Sequence, residues 1–432
     1  MGCRAVLLGR VDSGNSALNC VLLSLLFLIG LFATISVVRF AGFSAYIWLM
    51  LLATLLLVFT GKLTLHFNLF SLLLLSASVT CFLTIQLLSP AYQDNSIKAL
   101  FALVLTSVVG MSVLPDWSYR NAFYRGLLLS VKIQTLWIFL QTACWAFLKL
   151  DLNDLIFSQI LGMVETASQY KATGLVSTGL CWNAGGIAAA FYFFMIFEKK
   201  TAWKILVILA SIMTQSSTIM IGVSLILLAG LLNYVFDEKR SYIFSRTSLL
   251  LVALIFVVGC FAFTLIPGIK SSVEPVVSVL FDRIAVVLGL ADSADSSFIA
   301  HASYYTNLPQ LVSNMDLQSL LFGYGNDCSG LPYTALTRQY WTLDSWMLES
   351  DYINLFLSQG VFGITVWIIW LCSSIARAMK NRNNRIALFF MVMMVGGIFY
   401  NLQSVLYYWV TLLELSLLFD IKQVSICPSC TS

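Results

Sequence analysis

Long unbroken apolar stretches alternate with short polar clusters along this chain of 432 residues. Most of these stretches exceed the length of a strand, and most approach the roughly 20 residues that a helix needs to cross a bilayer. They predict spans near 17–38, 40–60, 67–88, 97–115, 125–148, 174–197, 202–214, 217–236, 247–266, 352–376, 386–402 and 404–420. The seventh and eighth form one run from Lys204 to Phe236, interrupted by Thr214-Gln-Ser-Ser217. That polar break predicts a tight hairpin. The fold class expected is therefore an all-α polytopic membrane protein of about 12 transmembrane helices.

Composition agrees. Only 10% of residues are charged against 59% hydrophobic, and mean hydropathy is +0.90; a soluble domain carries roughly a quarter charged residues. Arg4, Arg10 and the apolar run that follows look like a signal sequence, but the run is too long and lacks a small-x-small cleavage site. It reads as an uncleaved first span. Lys199, Lys200 and Lys204, then Lys239, Arg240 and Arg246, then Arg377, Lys380, Arg382 and Arg385 mark the connections that stay inside. Both termini are then expected in the cytoplasm.

The same orientation leaves Pro267 to Asp351 outside, with three cations (Lys270, Arg283, Arg338) against nine acids. Val273–Leu290 and Ser297–Leu321 have helical apolar spacing, and Gly323-Tyr-Gly325 ends the second. The chain thus divides into spans one to nine (1–266), a large, mostly helical outer loop or cap (267–351), and three last spans with a tail (352–432).

No phosphate-cradling GK[ST] loop, HExxH or GxSxG is present. With only His66 and His301, a histidine-built metal site is almost excluded. Cys427-Pro-Ser-Cys430 is a lone CxxC and weak on its own. The outer face instead offers isolated cations among acids and aromatics: Arg283, Arg338 beside Tyr340 and Trp341, and Lys171 after Tyr170. Arginine suits bidentate capture of phosphate oxygens, and aromatic faces suit sugar rings. Each arginine also has a competing use, Arg283 with Asp282 or Glu274 and Arg338 with Asp344. His301 shares a helical face with Tyr304 and Tyr305, as a packing residue or a polar contact. Within the spans, Lys132 and Glu414 stand out, and mutual pairing is expected, as a structural tie ahead of a proton path, because an unpaired charge there costs about 3 kcal/mol or more.

Four segments resemble the bacterial O-antigen polymerase and ligase family. Glu349-Ser-Asp-Tyr-Ile-Asn354, running through Gln359-Gly-Val-Phe-Gly363, is similar to the polar motif that closes that family's large periplasmic loop. Leu320-Leu-Phe-Gly-Tyr-Gly325 is similar to its glycine turn, and Tyr170-Lys-Ala-Thr-Gly174 with Trp182-Asn183 to its motif leading into a span. Thr214-Gln-Ser-Ser217 resembles its break between two spans. The resemblance covers roughly residues 165–365, in matching order. Lys171 stands where the family commonly has arginine, and His301 where arginine often precedes an aromatic. The closing motif lacks the ligase branch's histidine, which favours the polymerase branch.

The resemblance implies polymerisation of undecaprenyl-diphosphate-linked oligosaccharides at the periplasmic face of the bacterial inner membrane. It implies Arg283, Lys171 and Arg338 as diphosphate contacts, with His301 as a further polar contact. Asp351 or Glu349 would serve as base, and Tyr304, Tyr340 and Trp341 would lie along the sugars. No cofactor or metal and no nucleic acid is implied; membrane lipid and a chain-length regulator are the partners such an enzyme would meet. The alternatives are a ligase that moves finished glycan to lipid A core, and a flippase for the same lipid-linked sugar.

Overall fold

The computed structural model describes residues 16–66, 69–87, 90–160, 172–176, 184–236, 303–326, 328–337, 348–400, 402 and 408–424. They are mostly helical. In chain order come α1 (Ser16–Phe32), a two-residue hairpin (Arg39–Phe40, Phe43–Ser44), α2 (Ala45–Phe59), α3 (Leu69–Leu87), α4 (Pro90–Ser112) and α5 (Trp117–Leu148). A π-helical turn (Asp154–Ile160) and a 3₁₀ turn (Ala184–Ile187) precede α6 (Ala188–Phe197), α7 (Thr201–Met213) and α8 (Ser217–Phe236). The later elements are α9 (Leu308–Asn314), α10 (Leu317–Phe322), α11 (Gly330–Thr337), α12 (Asp351–Lys380), α13 (Asn384–Phe399) and α14 (Tyr408–Val424). The predicted run 247–266 lies outside the described residues.

Among the described helices, α5 and α12 are long and apolar enough to cross a bilayer, and several shorter apolar helices accompany them. The hairpin expected at 214–217 is present: α7 ends at Met213, Gln215 takes φ +52°, and α8 starts at Ser217. Of the expected span 174–197, residues 177–183 lie outside the described residues; Gly174 has φ +72°, and a 3₁₀ turn precedes the α-helix at Ala188. The outer segment expected as one helix to Leu321 is broken into short helices, since Asp316 caps α10 by accepting from the Ser319 N–H at 2.8 Å.

The core is largely apolar, but polar side chains on α3 and α5 are buried within it while apolar ones face outward. Ser76, Thr80, Thr84, Ser130, Gln134 and Gln141 are buried, while Leu72, Leu75, Phe82, Leu136 and Leu140 on the same helices α3 and α5 are exposed. Small residues let backbones touch where α1 crosses α5: a Cβ on Gly30 would lie 2.2 Å from the Phe123 carbonyl oxygen, and one on Gly126 2.0 Å from that of Phe27.

Charges sit in seams, and not where the sequence predicted. Lys132 does not pair with Glu414. Its Nζ lies 3.0 Å from Glu198 Oε2 and over the rings of Phe194 and Trp203, because α5 turns this face toward α6 and α7. Glu414, fully buried on α14, faces α12 and accepts from Trp370 Nε1 at 3.4 Å. At the start of α5, buried Arg120 holds Asp420 of α14 through Nε at 2.9 Å and donates from Nη1 to the Leu114 and Pro115 carbonyls, each at 2.7 Å. Tyr124 donates to the other Asp420 oxygen at 2.8 Å.

Glu198 gives one pH prediction. Burial pushes its carboxyl up, but the Lys200 N–H and the Lys132 ammonium outweigh that and hold it below its ordinary value. A carboxylate lowered in the folded state stabilises above its unfolded pKa of about 4.5 and loses that contribution as pH falls through the folded value. Thermal melts of detergent-solubilised protein should therefore show Glu198→Gln less stable than the parent near neutral pH, the gap closing below about pH 4.5. A gap that is constant with pH would remove the ion pair as its cause.

Candidate functional site

Two buried polar seams stand out, one around a break in α12 and one along α5. The first is built on a break in α12. Gly360 adopts φ +67°, ψ −167°, a conformation for glycine alone, so the helix carbonyls before it lose their usual donors. Leu357 and Ser358 accept instead from Tyr324 N (2.7 Å) and Gly325 N (2.8 Å) of the glycine turn. Gly323 (φ +73°) and Gly360 each press against the other segment's backbone, and a Cβ on either would lie 2.3 to 2.4 Å from it. Gln359 extends the seam, donating to Asn326 Oδ1 at 3.0 Å and accepting from Ser76 of α3 at 3.1 Å.

Directly above, the loop 348–350 leads into the first turn of α12. The Ser329 hydroxyl donates to the side-chain amide oxygen of Asn354 and accepts from the Leu348 N–H. Asp351 has no exposure and lies against Gly397 of α13. The Tyr305 hydroxyl shares a 2.8 Å hydrogen bond with Ser350 Oγ and donates to the Ile398 carbonyl at 3.0 Å. Burial, opposed by the Ser350 bond and reinforced by the Asp351 charge, raises the Tyr305 pKa; burial and then Glu349 do the same to Tyr304. Both phenols stay protonated at neutral pH and can donate. Tyr304 is buried edge-on against Tyr333, 5.5 Å between centroids, in a small cap core shared with Leu311, Ile353 and Leu357. It is a packing residue and not an exposed platform for sugar. Glu349 is half-buried, more accessible than Asp351.

The second seam fixes residues 172–176. The Gln134 side chain donates to the Thr34 carbonyl (2.7 Å) and accepts from Leu175 N (2.7 Å). Gln141 accepts from Gly174 N (2.8 Å), while Asn153 donates to the Gly174 carbonyl (2.7 Å) and accepts from Trp137 (2.8 Å). An extra Cβ at Gly174 would meet Gln134 Oε1 at 2.4 Å. A non-helical stretch this deep in a bundle requires such partners for its backbone.

The structure thus brings the Gly323–Gly325 turn to Gln359–Gly360 and sets Glu349, Asp351 and Tyr305 at the same end. Lys171, Arg283, His301, Arg338, Tyr340 and Trp341 lie outside the described residues. Sequence reasoning met Tyr305 only as a neighbour of His301 and Ser350 only within the closing motif, and it missed Gln134, Gln141 and Asn153. Gln134 and Gln141 had a signal: two amides seven apart in an apolar run lie on one helix face. No protein-family model matches the chain, and no curated protein matches it.

Proposed function

We propose that the chain is an integral membrane glycosyltransferase that polymerises oligosaccharide repeat units carried on a lipid diphosphate. The membrane part of this reading is supported by apolar helices, two of them long enough to cross a bilayer, and by the large apolar side chains exposed on α3 and α5 beside buried polar ones. About 12 spans, with the loop 267–351 periplasmic and both termini cytoplasmic, complete the reading. The observation that carries the enzymatic part is the backbone union of Leu320–Gly325 with Gln359–Gly363, two segments that resemble the polymerase and ligase family and lie apart in sequence.

An acceptor sugar hydroxyl attacks the anomeric carbon of the donor. The new glycosidic C–O bond forms as the bond to the lipid diphosphate breaks, and that group departs with the electron pair. Arg283, Lys171 and Arg338 take up the charge that develops on the leaving group. The hydroxyl proton passes to a carboxylate. Glu349 is the better base, being half-buried, whereas Asp351 is fully enclosed. His301 is a further polar contact, and Tyr340 and Trp341 lie along the sugars.

The test is the length distribution of surface polysaccharide on a gel after deletion and restoration of the gene. Deletion should leave core bearing a single repeat unit, and restoration with Arg283→Ala or Glu349→Gln, at normal protein level, should look the same. Bare core with accumulated lipid-linked polymer would instead identify a ligase. Bare core with no polymer would identify a flippase.

A further inference from the structure

The end of the bundle remote from the cap gathers seven cations. Lys199 and Lys200 lie between α6 and α7, with Lys204 in the first turn of α7. Arg377 and Lys380 end α12, Arg382 lies in the turn after it, and Arg385 begins α13. The two connections are neighbours, since Arg385 lies close enough to Lys204 for their charges to repel. Glu198 is the acid at this junction among the described residues, and it is already committed. Its Oε2 holds Lys132, while its Oε1 accepts the backbone N–H groups of Lys199 (2.8 Å) and Lys200 (3.0 Å).

The exposed members are Lys199, Lys200, Arg377, Lys380 and Arg382; Arg385 is half-buried and Lys204 enclosed. Met379, 59% exposed, sits between Arg377 and Lys380. An apolar side chain flanked by cations in the last turn of an apolar helix belongs where hydrocarbon meets headgroups. The carbonyl end of α12 holds its cations there as well. We propose that this face is a binding surface for anionic lipid headgroups, whose phosphates bridge the α6–α7 and α12–α13 connections. Lipid is the occupant that Met379 selects: a free anion would satisfy the charges and leave that side chain in water. The inference rests on the membrane reading and is independent of the polymerase reading.

The experiment compares the full chain in nanodiscs of phosphatidylcholine alone with nanodiscs containing phosphatidylglycerol, by thermal unfolding, and counts lipids retained after detergent extraction by native mass spectrometry. Phosphatidylglycerol should raise the midpoint and be retained preferentially. The triple variant Arg377→Gln/Lys380→Gln/Arg382→Gln should lose most of both effects, whereas Lys98→Gln, an exposed cation on α4, should keep them. Equal behaviour in the two lipids overturns the proposal, as does a triple variant that binds like the parent. If inorganic phosphate with phosphatidylcholine gives the same stabilisation, the site is a free-anion site and the lipid assignment fails. Should the expressed chain stay soluble after membranes are sedimented without detergent, the membrane reading itself falls, and this inference with it.

Discussion

Gly360→Ala should unfold well below the parent, or fail to accumulate. Two costs add. The backbone conformation at φ +67°, ψ −167° costs a side chain about 1–3 kcal/mol. The new Cβ would then lie 2.3 Å from the carbonyl carbon and oxygen of Leu321, backbone atoms that cannot swing aside. Moving them would pull Tyr324 and Gly325 off the Leu357 and Ser358 carbonyls, each lost bond costing about 1 kcal/mol or more. The comparison variant is Gly42→Ala, where φ is +82° but nothing lies within 4 Å of the added atom. Thermal unfolding in detergent should give Gly42→Ala a small loss and Gly360→Ala a loss of about 3 kcal/mol or more. Equal losses would mean that the close approach of the two segments is not real.

The second large effect is at Arg120. Arg120→Met removes donors to Asp420, Leu114 and Pro115 at once and leaves a mostly buried carboxylate without its cation. Breaking a buried pair in this way costs about 3–5 kcal/mol. The double variant Arg120→Met/Asp420→Leu should recover part of that loss, because no stranded charge then remains. The same unfolding measurement decides it: a double variant no better than Arg120→Met would show that the two carbonyl contacts, and not the charge pair, dominate.

Among the described residues, helices were readable from the sequence where they follow apolar run length, and the 214–217 break was readable because four polar residues cannot continue an apolar run. Gly323 and Gly360 could be noticed as glycines, but their mutual contact could not. Pairing across 30-odd residues depends on which carbonyls a helix break exposes. Lys132 shows the other limit. Its depth in the apolar run was evident, yet its partner depends on the rotation of α5 about its axis, and that is set by packing, including the Gly30–Gly126 contact with α1. The candidate carboxylates were found because they border a span. Tyr305 was noticed only as a neighbour of His301, since its role needs Ser350 and Ile398 beside it.

The junction at Gly360 also orders the chain's manufacture. Residues 323–325 leave the ribosome before the carbonyls that will receive them exist, so the glycine turn must wait, its amides still bonded to water. Only when the first half of α12 has formed and broken at Gly360 can the turn seat against α3. A nascent chain halted between these points would hold an unseated glycine turn, and its closure would depend on the arrival of one glycine.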